Sequence, residues 1–80
     1  MGSEVTFDGL VESVRRARLP SPNVRRDIRE VAGVSIREAA KAMGVAPMTL
    51  LRWERGTVQP TREHAVAYRG LLDALNEAAS

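Results

Sequence analysis

Residues 36–55 read IREAAKAMGVAPMTLLRWER, and their spacing decides the fold. Ile36, Ala39, Ala40 and Met43 recur at helical intervals and form one buried face. Gly44 follows, where the chain must leave the helix in a left-handed conformation that glycine adopts without steric strain. A second helix opens at Ala46-Pro47, with proline at a first helical position that needs no N–H. Leu50 and Trp53 share one face of it and dock it on the first helix, where Ala40 must be small because the two cross nearly in contact. Pro47, Met48, Leu51, Arg52 and Arg55 are left on faces pointing elsewhere. The spacing is that of a helix-turn-helix, which offers its second helix to a DNA groove.

Working outward, Ser35 and Glu38 form a capping box that starts the first of these helices. Its exposed face carries Arg37 and Lys41. Upstream, Ser21-Pro22 reads as an N-cap and first helical residue, beginning a helix to about Ala32 that Gly33 ends. Val24, Ile28 and Val31 are expected to face inward there, and Arg25 and Arg26 to face solvent. Residues 4–19 form a further amphipathic helix with Phe7, Leu10, Val11 and Val14 in one stripe. Glu4 and Asp8 near its start, and Arg15, Arg16 and Arg18 near its end, suit the helix dipole. The stripe is expected to complete the core, the alternative being a dimer surface or a basic end lying on a phosphate backbone. Downstream, Thr61 caps a long helix to about Ala78, with Val66 and Leu75 bracketing its buried stripe and Tyr68, Leu71 and Leu72 sharing the apolar surface. Three leucines within five positions exceed one narrow seam, so part of this surface is expected to pair with a second copy unless the first helix covers it. His64, in the first turn, reads as a solvent-facing or locally bonded residue.

Composition limits the chemistry. Eighty residues, 44% of them hydrophobic, make one small globular domain. The absence of cysteine removes thiolate ligands and nucleophiles, and a single histidine argues against a zinc site or a histidine triad. No nucleophile–base pair or metal cluster is visible, so neither an enzyme nor a bound cofactor or metal is expected. No apolar run reaches membrane-spanning length, so no membrane partner is expected and a cytoplasmic location is. The net charge of +2 does not by itself indicate nucleic acid. Lys41 is the only lysine; the remaining bases are arginines, which suit bidentate contact with guanine edges or phosphates.

The series Val34-Ser35, Glu38-Ala39-Ala40, Gly44-Val45, Thr49-Leu50, Trp53-Glu54-Arg55-Gly56 and Pro60 resembles the lambdoid phage repressor and Cro family, whose bacterial relatives are the XRE-type regulators. The resemblance runs over about residues 22–75. It implies that Met48, Thr49 and Arg52 sit where family members meet base edges or flanking phosphates, with Pro47 at another such place but lacking a side-chain donor. It also implies that Ser35, Arg55 and Thr57 meet the phosphate backbone, and that Arg29 and Glu54 form an ion pair joining the family's first helix to the end of the recognition helix. Arg37 and Arg62, at the starts of the third and fifth helices, are added as phosphate contacts. Two departures stand out. Ile36 replaces a glutamine that usually bonds phosphate, and Ala39 replaces a leucine, leaving volume for Trp53 to fill. With Pro47, Met48 and Leu51 offering no strong hydrogen bonds, base readout falls largely on Arg52, most naturally to guanine, while Met48 or Leu51 packs on thymine methyls.

The expected fold is an all-helical, lambda repressor-like bundle of five helices, with residues 1–20 as a helical extension and 21–80 as the DNA-binding domain. The expected function is sequence-specific binding of double-stranded DNA as a homodimeric transcriptional repressor. Alternatives are a DNA-binding antitoxin, a recombination or conjugation accessory, the operator-binding fragment of a longer regulator, or a protein-interaction module on the same scaffold.

Overall fold

The computed structural model describes residues 6–80. Glu4, placed above at the start of the first helix, lies outside them. The order is α1 (Phe7–Arg16), α2 (Pro22–Val31), α3 (Ile36–Met43), α4 (Pro47–Arg55) and α5 (Arg62–Ala78), all helical. Each start has a local cause. The Thr6 hydroxyl accepts from the Gly9 N–H at the head of α1, and that of Thr61 from the His64 N–H at the head of α5. α2 and α4 start on proline without a side-chain cap, Ser21 and Ala46 serving only as backbone N-caps. At α3 the capping box is complete: the Glu38 N–H donates to Ser35 Oγ at 3.1 Å and the Ser35 N–H to Glu38 Oε1 at 3.0 Å. These bonds hold the Glu38 carboxyl below its ordinary value, the backbone N–H being the larger cause.

α3 and α4 pack on each other and α5 closes the core beneath them. Ala39, Ala40, Leu50, Trp53, Tyr68 and Leu72 make up the buried cluster, with Ala40 fully inaccessible. Gly44 makes the turn at φ 70°, and the Val45 N–H reaches back to the Ala40 carbonyl at 3.0 Å. Trp53 lies between α4 and α5, its ring 5.2 Å from His64 and 6.1 Å from Tyr68.

Three expectations require correction. Arg25 is buried, and Val24 and Val31 are exposed, so α2 turns a guanidinium inward where an aliphatic stripe was expected. The buried line of α5 is Ala65, Tyr68 and Leu72, flanked by half-buried Val66, Leu71 and Leu75. Leu72 is buried and Leu71 and Leu75 are half-buried, all three bordering an interior crevice with Arg29, Ala39 and Leu50. Finally, α1 contributes no buried residue: Phe7 is 81% exposed, and Leu10, Val11 and Val14 are each more than two-fifths exposed. α1 packs on α5, and its half-buried residues are Glu12 and Ser13, with Ala17 at its C-cap. No described helix is long and apolar enough to cross a membrane.

Candidate nucleic-acid interface

The outer face of α4 is built by what anchors its inner face. Leu50, Trp53 and Glu54 are buried, which leaves Pro47, Met48, Arg52 and Arg55 exposed on the other side. Met48 is 55% exposed, high for a large apolar side chain. Thr49 is half-buried at the edge of this face. Leu51 leans towards the start of α2, lining an open crevice with Pro22, Asn23, Arg26 and Arg55, so it is less available to a ligand than Met48.

Two arginines of α2 fix the orientation of α4. Arg25 donates from Nε to the Pro20 carbonyl and from Nη1 to the Trp53 carbonyl, both at 2.7 Å. A cation at the carbonyl-rich end of a helix is electrostatically favourable there. Four residues on, Arg29 forms a two-pronged bond to Glu54, Nε to Oε1 at 2.6 Å and Nη2 to Oε2 at 3.0 Å, and donates Nη1 to the Val34 carbonyl at 2.8 Å. The bond to Glu54 raises the Arg29 pKa above its ordinary value against the opposing effect of burial. Every buried side-chain nitrogen and oxygen among the described residues has a partner. Arg25 was missed as a positioning residue. The available signal was its place one turn before Arg29 on the same helical face.

The remaining positions divide by what their donors already do. Arg37, Arg55 and Arg62 are exposed, with no hydrogen bond or ion pair holding their guanidinium groups among the described residues. Arg62 borders a crevice with Gln59 and Pro60, apart from the Arg26–Arg55 crevice. Ser35 Oγ accepts from Glu38, which leaves its hydroxyl proton free. Thr57 is different: its N–H and its hydroxyl both donate to the Arg52 carbonyl, at 3.0 and 3.2 Å, so it closes the end of α4. Gly56, at φ 76°, makes that turn possible and packs close to Pro22. His64 is exposed and its Nδ1 lies 3.2 Å from Thr61 Oγ1, a local bond in the cap. No cluster of histidine, aspartate and glutamate suited to a metal occurs among the described residues.

This geometry is that of a helix-turn-helix whose second helix is held at its C-terminal end and free along its outer face. A helix-turn-helix family model, HTH_3, matches residues 26–75, well over half of the chain. The chain therefore belongs to the phage repressor and Cro-like, XRE-type helix-turn-helix family, and is a DNA-binding protein of that class. No curated protein and no solved structure matches it.

Proposed function

We propose that the chain is a sequence-specific transcriptional regulator, most simply a repressor acting in the cytoplasm, that reads the major groove of double-stranded DNA with α4. Residues 21–80 would form the reading domain and residues 1–20 a helical extension. The observation that carries this reading is the burial pattern of α4: Leu50, Trp53 and Glu54 inward, Met48, Arg52 and Arg55 outward. Arg52 has five donors in a planar fork suited to guanine O6 and N7, and Met48 offers an apolar surface to a thymine methyl. Pro47 and Thr49 would flank them at the groove edge. Ser35, Arg37, Arg55 and Arg62 would meet phosphates, fixing the register without reading sequence. Thr57 would contribute to this set only by exchanging a bond it makes to Arg52. A homodimer would read two half-sites about one helical turn apart.

A second reading, a protein-interaction module on the same scaffold, is favoured by the apolar Pro47 and the exposed Met48. Selection of bound sites from random duplex DNA, followed by a salt titration on the selected site, separates the two. Phosphate contacts make log K fall by about 0.9 per contact for each unit of log salt, whereas an apolar protein interface barely responds. Recovery of no consensus sequence would end the sequence-specific reading. A recovered site beside genes for a toxin or an integrase would move the role towards an antitoxin or a recombination accessory.

A further inference from the structure

α1 presents its apolar stripe to solvent. Of the eight large hydrophobic residues exposed among those described, four are the stripe residues Phe7, Leu10, Val11 and Val14. The helix packs on α5, its half-buried residues being Glu12 and Ser13 with Ala17 at the C-cap, and Arg69 Nη1 donates to the Arg15 carbonyl at 2.6 Å to hold its far end. So α1 is fixed to the bundle with the wrong face out for a core helix. It also lies wholly before the residues matched by the family model.

We propose that this stripe is the surface through which two copies of the chain pair, α1 lying antiparallel to the partner's α1 about a two-fold axis. The stripe is self-complementary under that operation. With the axis between Leu10 and Val11, Leu10 of each copy meets Val11 of the other and Phe7 meets Val14. The charges agree. Asp8 and Arg15, seven apart, flank the stripe on the same side, and in an antiparallel helix pair like flanks face each other. Helical side chains lean towards their own N-terminus, so Arg15 reaches back to the level of the partner's Asp8, twice by symmetry. Asp8 has no ion pair within the described chain, and the contact of Arg15 with Glu12 is a long 3.5 Å. A parallel pair would bring opposite flanks together and lose this match.

Ten residues give a helix about 15 Å long, so the interface alone falls short of the roughly 800 Å² per partner of a standard complex. Pairing is therefore weak in the free protein and is reinforced when adjacent DNA half-sites hold two copies together. In that purpose, though not in the pairing itself, the inference rests on the DNA-binding reading.

The test is sedimentation equilibrium of the protein alone, from roughly 1 µM to roughly 1 mM. The native chain associates to a dimer and Val11→Glu stays monomeric. Asp8→Arg and Arg15→Asp each weaken the dimer about fivefold, and the double variant Asp8→Arg/Arg15→Asp regains it. Circular dichroism checks that each variant stays folded. A native chain monomeric throughout, or a Val11→Glu variant that dimerises like the native chain, overturns the proposal, and a double variant no better than the singles overturns the antiparallel register. Binding of Val11→Glu to a single half-site of DNA is read separately: its retention leaves the DNA-binding reading intact whatever the pairing result.

Discussion

Arg25 Nη1 donates to the Trp53 carbonyl at 2.7 Å, joining residues 28 positions apart. One turn further along α2, Arg29 grips Glu54, the next residue of α4. α2 therefore holds two consecutive residues of α4, one through its backbone and one through its carboxylate. The angle at which α4 stands out from the bundle depends on both.

Arg25→Ala is expected to cost about 1.5–3 kcal/mol, the range for hydrogen bonds that involve a charged group, with some loss of packing besides. Urea unfolding of the variant measures it. A cost under about 0.5 kcal/mol, typical of an exposed site, would show that the guanidinium is not held as the structure places it.

For the neighbouring pair, removing Arg29 or Glu54 alone is expected to destabilise by about 3–5 kcal/mol, because the survivor is a buried charge without its partner. Glu54 is only 5% exposed and the Arg29 side chain 13%. Replacing both, Arg29→Met with Glu54→Leu, should recover much of that loss, since two apolar groups need no compensation. The double-mutant cycle is the measurement, and simple additivity would argue against a coupled pair.

Two glycines should answer alanine with opposite signs. At Gly56 a Cβ would meet Pro22 Cγ at 3.0 Å with φ at +76°, so Gly56→Ala is expected to cost about 1–3 kcal/mol. At Gly70, inside α5, a Cβ meets nothing within 4 Å, and Gly70→Ala should gain about 0.5–1 kcal/mol. Thermal melts of the two variants check the contrast.

Tyr68 gives a pH test. Burial, aided by the charge of Glu54, pushes its phenol up to about 12. The unfolded chain releases the same proton near 10, so between these values the folded state binds more protons than the unfolded one. The contribution is whole below about pH 10 and is lost as pH rises towards about 12. Tyr68 is the only tyrosine, so phenolate absorbance against pH follows it alone. An ordinary midpoint in the folded protein would contradict its burial.

The sequence disclosed most where a residue type has one local task. Gly44, the capping box of Ser35 and Glu38, Thr61, and the docking pair Leu50 and Trp53 could be read because turns, caps and helical spacing act over a few residues. It disclosed least where tertiary geometry chooses between two plausible faces. Arg25 reads as a surface arginine until the Pro20 and Trp53 carbonyls are brought beside it. The stripe of α1 reads as core, yet all four of its residues stay exposed while α1 packs on α5. Periodicity finds an apolar face without saying what will cover it.

Arg52 and Arg55 are three residues apart on α4, both exposed, and the proposed roles predict different failures for them. Arg52→Ala removes a fork aimed at a base edge. It should relax discrimination at one base-pair position, at a cost of about 1–3 kcal/mol on the preferred site and little on others. Arg55→Ala removes a phosphate contact. It should weaken all duplexes about equally and reduce the salt slope by about 1. Site selection repeated with each variant, together with salt titrations, distinguishes them. A uniform loss for Arg52→Ala would move that residue to the phosphate set, leaving Met48 and Thr49 to carry whatever sequence preference remained.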